Sequence, residues 1–158
     1  MAYPYDVPDY AADRAAYPKN IFLLCKEFGL ELQDLRLVCV FCANVLTDAE
    51  VVSYAYKELD VVWRKQYPFG ACARCLLAAG ILRQFRRWNY SAYSTTVEQE
   101  TGQSVDTLFV RCYLCHKPLC HVEKAKHVEE QRRYHKIAGN WTGTCLQCWR
   151  RCMEPNLH

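Results

Sequence analysis

Eight of the eleven cysteines form two identical quartets along the chain. In each quartet a C-x2-C pair is followed, after 29 residues, by a second C-x2-C pair, and the two quartets are offset by 73 residues. The members are Cys39, Cys42, Cys72 and Cys75, then Cys112, Cys115, Cys145 and Cys148. Four thiolates are the ligand set of a closed, tetrahedral structural zinc site. The spacing therefore predicts two structural zinc ions, each holding one copy of a duplicated module.

Other cysteine chemistries fit the pattern less well. A catalytic zinc ion keeps one coordination position open, whereas each quartet supplies four sulfurs. A thioredoxin-like site needs a single pair at a helix start, and a cross-braced ubiquitin ligase domain would interleave its ligands. Disulfides are disfavoured because the cysteine count is odd and no basic start followed by an apolar run is present. We expect a protein that is not an enzyme, in a reducing compartment.

Three cysteines and one histidine stand outside this scheme. Cys25, Cys120 and Cys152 belong to neither quartet. Cys120 precedes a predicted helix, where a thiolate is favoured, but a capping or partly buried thiol is the more ordinary interpretation. His116 follows Cys115 directly, and we expect a solvated turn residue rather than a fifth ligand.

The chain divides into small segments. Residues Tyr3 to Ala11 read YPYDVPDYA, the haemagglutinin epitope tag, and are set aside. Modules of about 70 residues have little apolar core and often need a metal. We divide the chain into the tag (1–12), an N-terminal arm and helix (13–38), a first zinc module (39–75), a linker helix (76–95), a second zinc module (96–152) and a tail (153–158).

Local signals predict the elements of the first module. A helix is expected from Asn20 to Phe28, ended by Gly29. Thr47 and Glu50 form a capping box that starts a helix from Asp48 to Lys57. The alternation from Leu59 to Arg64 indicates a strand, and Pro68-Phe69-Gly70 is expected to turn the chain into the second cysteine pair.

Similar signals continue through the second half. The apolar spacing from Leu76 to Tyr90 predicts an amphipathic linker helix, and a cap signal at Ser94 precedes a short helix closed by Gly102. A charged helix from His121 to Arg133 and a strand from Tyr134 to Ile137 follow. The predicted fold class is α+β: two homologous small zinc-stabilised modules, each with one four-cysteine zinc site, built from a short sheet plus helices and joined by the linker helix.

Net charge gives little support to nucleic-acid binding. The formal charge is +3, but eight thiolates and two zinc ions bring the holoprotein to about −1. Basic clusters with nearby aromatic residues could still bind phosphate and stack bases, although a solvated helix face is more common. The clusters are Arg83, Arg86 and Arg87, then Arg132 and Arg133, and finally Arg150 and Arg151. A zinc-dependent nucleic-acid-binding or transcription-modulating protein is the alternative function.

The quartets and the stretches around them resemble the papillomavirus early protein six family of viral oncoproteins. The supporting stretches are residues 37–42 (LVCVFC), 111–120 (RCYLCHKPLC) and 140–145 (NWTGTC), and the resemblance spans about Asn20 to Cys152. RCYLCHKPLC and the run from Tyr54 to Trp63 are similar to the alpha group of human and primate viruses.

This resemblance implies a non-enzymatic adaptor. Members capture an acidic Leu-x-x-Leu-Leu helix of a host HECT-type ubiquitin ligase between the zinc modules and the linker helix, and redirect the ligase to targets such as a tumour suppressor. The implied peptide-binding positions are Val40, Phe41, Leu59, Val62, Arg64, Ala71, Leu76 and Arg111. Two departures from cancer-associated members bear on this grip: Asn140 replaces an arginine, and Ala79 replaces a tyrosine.

The resemblance also sets expectations for other partners. The implied target-binding candidates are Tyr56 and Glu58. The chain ends in Pro155-Asn156-Leu157-His158, which lacks a PDZ-binding signal, so PDZ proteins are not expected as partners and the type is not expected to be high-risk. Other Leu-x-x-Leu-Leu hosts, such as a Notch coactivator or a focal-adhesion adaptor, are alternatives. Host cytoplasm and nucleus, inhibition of apoptosis and transcription regulation are implied; little or no nucleic acid and no membrane are expected as partners.

Overall fold

The computed structural model describes residues 17–153 and divides the chain at Cys75 and Leu76 into two compact units. The tag and the tail after residue 153, including the residues of the predicted PDZ mismatch, lie outside the described residues. Within 17–153, no helix combines the length and the apolar character that crossing a membrane requires.

The first unit is a helix pair with a small hairpin. Its elements are α1 (Ile21–Phe28), a 3-10 turn (Leu32–Asp34), α2 (Asp48–Tyr56), β1 (Val62–Arg64) and β2 (Tyr67–Phe69), with β1 and β2 antiparallel. The side-chain oxygen of Asn20 accepts from the N–H of Leu23 at 2.9 Å, and Gly29 ends α1 with a φ of 63°. These caps confirm the helix that the sequence predicts here.

The second unit is built on a four-stranded sheet in the order β3-β5-β6-β4. Only the contact between β4 and β6 is parallel. The elements from the unit boundary onward are α3 (Ala73–Arg87), β3 (Trp88–Ala92), α4 (Ser94–Thr101), β4 (Arg111–Cys112), α5 (His121–Glu129), β5 (Tyr134–Ile137), β6 (Asn140–Gly143) and α6 (Leu146–Met153).

The two units repeat the same backbone, and the repeat begins before the cysteines. Helix α4 follows α1 by 73 residues, α5 follows α2 by the same offset, and Gly102 ends α4 with a φ of 69° as Gly29 ends α1. Uncommon positive φ angles recur at that offset as well. The pairs are Ala43 and His116, Glu58 and Gln131, Lys65 and Ala138, and Gln66 and Gly139. The duplication predicted from the cysteines is therefore confirmed at the level of the backbone.

Four sequence predictions of element bounds are wrong. Residues 68–70 do not form the turn: Pro68 and Phe69 belong to β2, and the turn lies at Lys65 and Gln66, whose φ angles are 50° and 71°. Neither residue is glycine or asparagine, the usual signals of such a turn. The strand predicted from Leu59 begins only at Val62.

The other two errors concern helix ends. The charged helix ends at Glu129 and not at Arg133, because Gln131 adopts a left-handed φ of 50° and the N–H of Arg132 turns back to the carbonyl of His127 at 2.9 Å. The linker helix ends at Arg87, because the next residues pair with β5. Trp88 continues the helical spacing of Phe85, which explains why the apolar pattern alone predicts a longer helix.

Each unit has its own small core. In the first unit Ile21, Leu24, Leu37 and Val51 are at most 2% exposed. In the second, a cluster forms around Val97, Val110, Tyr134 and Trp141 together with three of the quartet cysteines. The thiol ligands thus belong to the core and are not appended to it.

Gly80 sets how closely α3 approaches the second metal turn. A β-carbon at this position would lie 2.8 Å from the carbonyl oxygen of Leu114 and closer still to that of Tyr113, both backbone atoms. No rotamer change can relieve such a contact, so only glycine permits this packing.

We predict that Gly80→Ala destabilises the second unit by about 1–3 kcal/mol, the usual cost of forcing extra volume into a packed site. Helix propensity alone would favour alanine by about 1 kcal/mol. Urea denaturation, with Ala78→Ser as the exposed control on the same helix, measures the difference. A stabilised Gly80→Ala variant would show that α3 does not depend on this close approach.

Candidate metal centres and functional sites

The eight cysteines converge into two clusters of four. Cys39, Cys42, Cys72 and Cys75 form one cluster, and Cys112, Cys115, Cys145 and Cys148 the other; within each, the four sulfur atoms all lie within 4.8 Å of one another. Every cysteine is free of disulfides. A tetrahedron of sulfurs at this spacing is the ligand set that zinc requires, since Zn–S bonds are about 2.3 Å long. The donor set therefore fits two structural zinc ions.

The thiols within a cluster compete for charge. In the second cluster, hydrogen bonds from Cys115, Cys145 and Cys148 lower the pKa of Cys112, while the bonds that Cys145 and Cys148 make to Cys112 raise their own pKa values. In the first, burial opposes ionisation of Cys39, but the N–H groups of its neighbours lower its pKa to about 6. Ionisation is therefore uneven among the clustered thiols, and a divalent cation supplies the charge that lets all four ionise.

The first C-x2-C of each cluster sits on a tight turn with the same hydrogen bonds. The N–H of Ala43 donates to the carbonyl of Cys39 at 3.0 Å, and the N–H of His116 donates to that of Cys112 at 2.9 Å. A parallel contact then joins each turn to the strand before the second pair, as Val40 N–H donates to Gly70 and Tyr113 N–H to Gly143, both at 2.9 Å. Backbone hydrogen bonds therefore hold the two cysteine pairs of each unit close together independently of metal coordination.

A carboxylate at the same position in each unit joins the helix start to the second cysteine pair. Glu50 accepts from the N–H of Thr47 at 3.0 Å and, through its other oxygen, from the N–H of Ala73 at 2.6 Å. Glu123 accepts from the N–H of Cys120 at 3.0 Å and from the N–H of Leu146 at 2.9 Å. Because Ala73 and Leu146 directly follow ligands, we call this arrangement the carboxylate bridge.

Electrostatics favour the charged form of both bridging groups. The N–H of Thr47, followed by that of Ala73, holds the pKa of Glu50 below its ordinary value. Burial opposes the charge of Glu123, but Lys117 and the N–H groups of Cys120 and Leu146 outweigh it and lower the pKa. The capping box that the sequence predicts at Thr47 is confirmed. The further hydrogen bond from the N–H of Ala73 to Glu50, beside the metal site, was not predicted from the sequence.

Six of the eight predicted peptide-binding residues lie in the first unit. Phe41 stands in the first metal turn with 65% of its surface exposed, whereas Ala71 is only 4% exposed and belongs to the core. Val40, Leu59 and Val62 are half-buried and Arg64 is exposed.

The N-terminal segment orients the strand that carries two of these residues. Trp63 donates through Nε1 to the carbonyl of Pro18 at 2.9 Å and its ring lies 4.7 Å from that of Tyr17. Successive side chains of a strand point to opposite faces. By this alternation, Val62 and Arg64 share the face of β1 opposite to that of Trp63.

The other two predicted residues, Leu76 and Arg111, lie in the second unit, and Arg111 lines a cavity of about 280 Å³. Leu76 is half-buried, and its carbonyl accepts from Nε2 of His116 at 2.9 Å. Arg111 donates to the carbonyl of His116 at 2.8 Å and its guanidinium lies 5.0 Å from the centre of the Phe109 ring. The cavity is lined by, among others, Arg83, Phe109, Arg111, His116, Asn140 and Trp141.

Phe109 and Trp141 line this cavity but were not among the residues predicted to bind a peptide. Phe109, two residues before β4, is 61% exposed. Asn140, the predicted departure, is exposed at the start of β6 and lines the cavity. Ala79 is half-buried on α3.

The remaining candidates have distinct places. Tyr56 is 70% exposed and packs edge-on against Phe22, with ring centres 5.3 Å apart, and Glu58 is exposed at a φ of 56°. Cys25 is buried in α1, while Cys120 and Cys152 are exposed.

His116 is not among the clustered ligands, and its ring is hydrogen-bonded to the carbonyl of Leu76 rather than solvated. Arg132, expected in a solvated basic cluster, is 6% exposed. It pairs with Glu130 and lies 4.0 Å from the Trp149 ring.

We predict that Cys72→Ser removes one zinc ion and unfolds the first unit, because structural zinc supplies folding energy directly. The zinc content measured by metal analysis should fall from two ions per chain to one. The cooperative unfolding transition of the first unit should be lost from the melting profile. Cys152→Ser, which changes an exposed cysteine outside both clusters, should retain both ions. Two ions and an unchanged melting profile in Cys72→Ser would contradict this assignment.

We further predict that Glu123→Gln weakens zinc retention by the second unit about 10–100-fold, the usual cost of losing a group that orients a metal ligand. The N–H groups of Cys120 and Leu146 bond to different oxygens of Glu123, and an amide replaces one of these acceptors by a donor NH2 group. Competition with a chelator measures the change, and Glu129→Gln on the same helix is the exposed control. Equal zinc retention in both variants would show that Glu123 only caps the helix and does not support the metal site.

Comparison with known proteins places these features in one family. A sequence model of the family described as Early Protein (E6) matches residues 39–148, which span both clusters. The protein named Protein E6 of human papillomavirus 57 is 58% identical over 137 residues, covering 87% of this chain and 90% of the relative. Protein E6 of human papillomavirus 11 is 50% identical over 145 residues, covering 92% and 97%.

One similar solved structure is described as "Solution structure of the C-terminal zinc-binding domain of HPV51 oncoprotein E6". It is 46% identical, covers 42% of this chain and 88% of its own, and has a TM-score of 0.38. The family match across both cysteine clusters and the identity over most of the length give one conclusion: the chain belongs to the papillomavirus E6 oncoprotein family, with two structural zinc sites of four cysteines each.

Proposed function

We propose that the chain is a non-enzymatic adaptor that captures a Leu-x-x-Leu-Leu helix of a host HECT-type ubiquitin ligase. The loaded ligase is then redirected to host targets, such as a tumour suppressor, for proteasomal degradation in the host cytoplasm and nucleus. Membership of the E6 family supports the adaptor class. The observation that carries the proposal is the cationic, aromatic-walled cavity of the second unit.

The cavity suits an acidic side chain next to an apolar one. Arg111 is held in place by the carbonyl of His116 and by the ring of Phe109, so its guanidinium is ordered before a ligand arrives. An ordered arginine loses little side-chain entropy on binding a carboxylate and presents a planar fork of donors. Arg83 adds a second positive charge, and Trp141 and Phe109 supply apolar wall.

The first unit carries apolar side chains of its own that suit leucines. Phe41 is exposed in the first metal turn, and Leu59 and Val62 are half-buried. Leucines of an amphipathic helix gain free energy when such side chains remove them from water, roughly 1.5–3 kcal/mol for each fully buried leucine. Asn140 contributes a neutral amide to the cavity, so we expect a weaker demand for acidic residues at that end of the peptide.

We predict that Leu59→Glu lowers affinity for an acidic Leu-x-x-Leu-Leu peptide about 100-fold or more. The change removes an apolar contact and adds a charge that repels the peptide. Fluorescence polarisation with labelled ligase peptide measures the affinity, and the same assay with Notch-coactivator and focal-adhesion-adaptor peptides identifies the preferred host.

The matched control is Leu23→Glu, which introduces the same charge at an α1 leucine that is 48% exposed. Both variants should retain two zinc ions. Unchanged peptide affinity in Leu59→Glu, or an equal loss in Leu23→Glu, would refute this placement of the peptide site. A complex that tolerates salt separates this adaptor from a nucleic-acid reader, whose affinity falls steeply with salt.

A further inference from the structure

The C-terminal part of α3 presents large apolar side chains to solvent. Phe85 is 88% exposed, Trp88 is 53% exposed, and Ile81 and Leu82 are each 50% exposed. Gly80, on the buried side of the helix, packs against the backbone of the second metal turn. Half or more of the surface of each of these four apolar groups is therefore exposed to solvent.

The stretch of chain that contains this apolar group carries charges of one sign. Residues 61–97 contain six arginines or lysines and not one aspartate or glutamate. Arg86 and Arg87, between Phe85 and Trp88, are both exposed. We call Ile81, Leu82, Phe85, Arg86, Arg87 and Trp88 the α3 tip.

A shallow groove adjoins the α3 tip. Arg86, Arg87, Trp88, Tyr90 and Lys136 line an open volume of about 770 Å³. The nearby Glu100 is already occupied, because it pairs with Lys136 at 3.6 Å and accepts from the hydroxyl of Tyr90. The two arginines thus face the groove without an acidic neighbour in residues 61–97, and guanidinium groups bind phosphate through paired hydrogen bonds.

We propose that the α3 tip binds the surface of an anionic phospholipid bilayer. Phe85, Leu82 and Ile81 enter the boundary between headgroups and acyl chains, Trp88 and Tyr90 lie at headgroup level, and Arg86 and Arg87 contact lipid phosphates. This is the arrangement of an interfacial amphipathic helix, in which apolar area and attraction to anionic lipid act together. The sequence predicts no membrane partner because it has no spanning segment; binding at the surface requires none.

The mixture of side chains favours lipid over the other anionic partners. Nucleic acid would stack on Trp88 and Tyr90 and neutralise the arginines, but it would leave Ile81 and Leu82 in water. An acidic protein would need a pocket shaped to receive the protruding Phe85, whereas the headgroup region of a fluid bilayer accommodates such a side chain without a preformed pocket.

Flotation of the full chain with vesicles tests the proposal. With vesicles of phosphatidylcholine containing about one third phosphatidylserine, the protein should float, and with pure phosphatidylcholine it should bind at least tenfold less. Phe85→Ser should reduce partitioning about tenfold through lost apolar contact. The double variant Arg86→Glu with Arg87→Glu should reduce it by more than tenfold, since each arginine near an anionic surface contributes about fivefold.

Matched controls lie on the same unit. Val128→Ser changes an exposed apolar residue of α5, 54% exposed, and Arg150→Glu with Arg151→Glu reverses an exposed arginine pair of α6. Both should leave flotation unchanged, and every variant should retain two zinc ions. The proposal is overturned if the protein does not bind anionic vesicles at low salt, or if the control variants lose as much vesicle binding as the α3 tip variants. It is also overturned if a single-stranded oligonucleotide binds the α3 tip while vesicles do not.

Discussion

Four sulfur atoms held within 4.8 Å of one another are the constraint on which each unit depends. So close together, four thiolates would repel one another, and a divalent cation supplies the charge that lets all four ionise. The apparent binding free energy of a cysteine-rich structural zinc site is about 10–16 kcal/mol. A small domain usually has a net stability of about 5–15 kcal/mol. The metal term therefore matches or exceeds everything else that separates the folded from the unfolded unit.

The backbone is arranged so that this metal term closes a long loop. In each unit about 30 residues separate the two cysteine pairs, a length whose closure would cost entropy without a cross-link. The parallel contact from Val40 to Gly70, or from Tyr113 to Gly143, aligns the pairs, and the carboxylate bridge ties the enclosed helix to the second pair. Glu50 and Glu123 each cap a helix and also accept a hydrogen bond beside the metal site. This double role explains why a glutamate is found at the same position in both copies of the repeat.

Features governed by local chemistry could be predicted from the sequence. The cysteine clusters, the caps at Asn20 and Gly29, and the capping box at Thr47 each follow from short-range rules, and the structure has them. Features governed by pairing between distant segments could not. Trp88 continues a helical pattern but enters a strand, because β5 is available to pair with it. The hairpin turn at Lys65 and Gln66 uses positive φ angles in residues that seldom adopt them, so only the repeat, with Gly139 at the matching position, carried a clue.

The two copies keep one backbone and differ in what they display. Tyr54 and His127 occupy the same buried position and both bond to the segment before the following strand, Tyr54 to the carbonyl of Asp60 and His127 to that of Arg132. Val38 and Arg111 also correspond, yet one is half-buried and apolar while the other carries the charge beside the cavity. Because the zinc sites and the carboxylate bridges fix the frame, side chains outside them can change without loss of the fold. A duplicated module of this kind can therefore present apolar contacts on one copy and cationic contacts on the other.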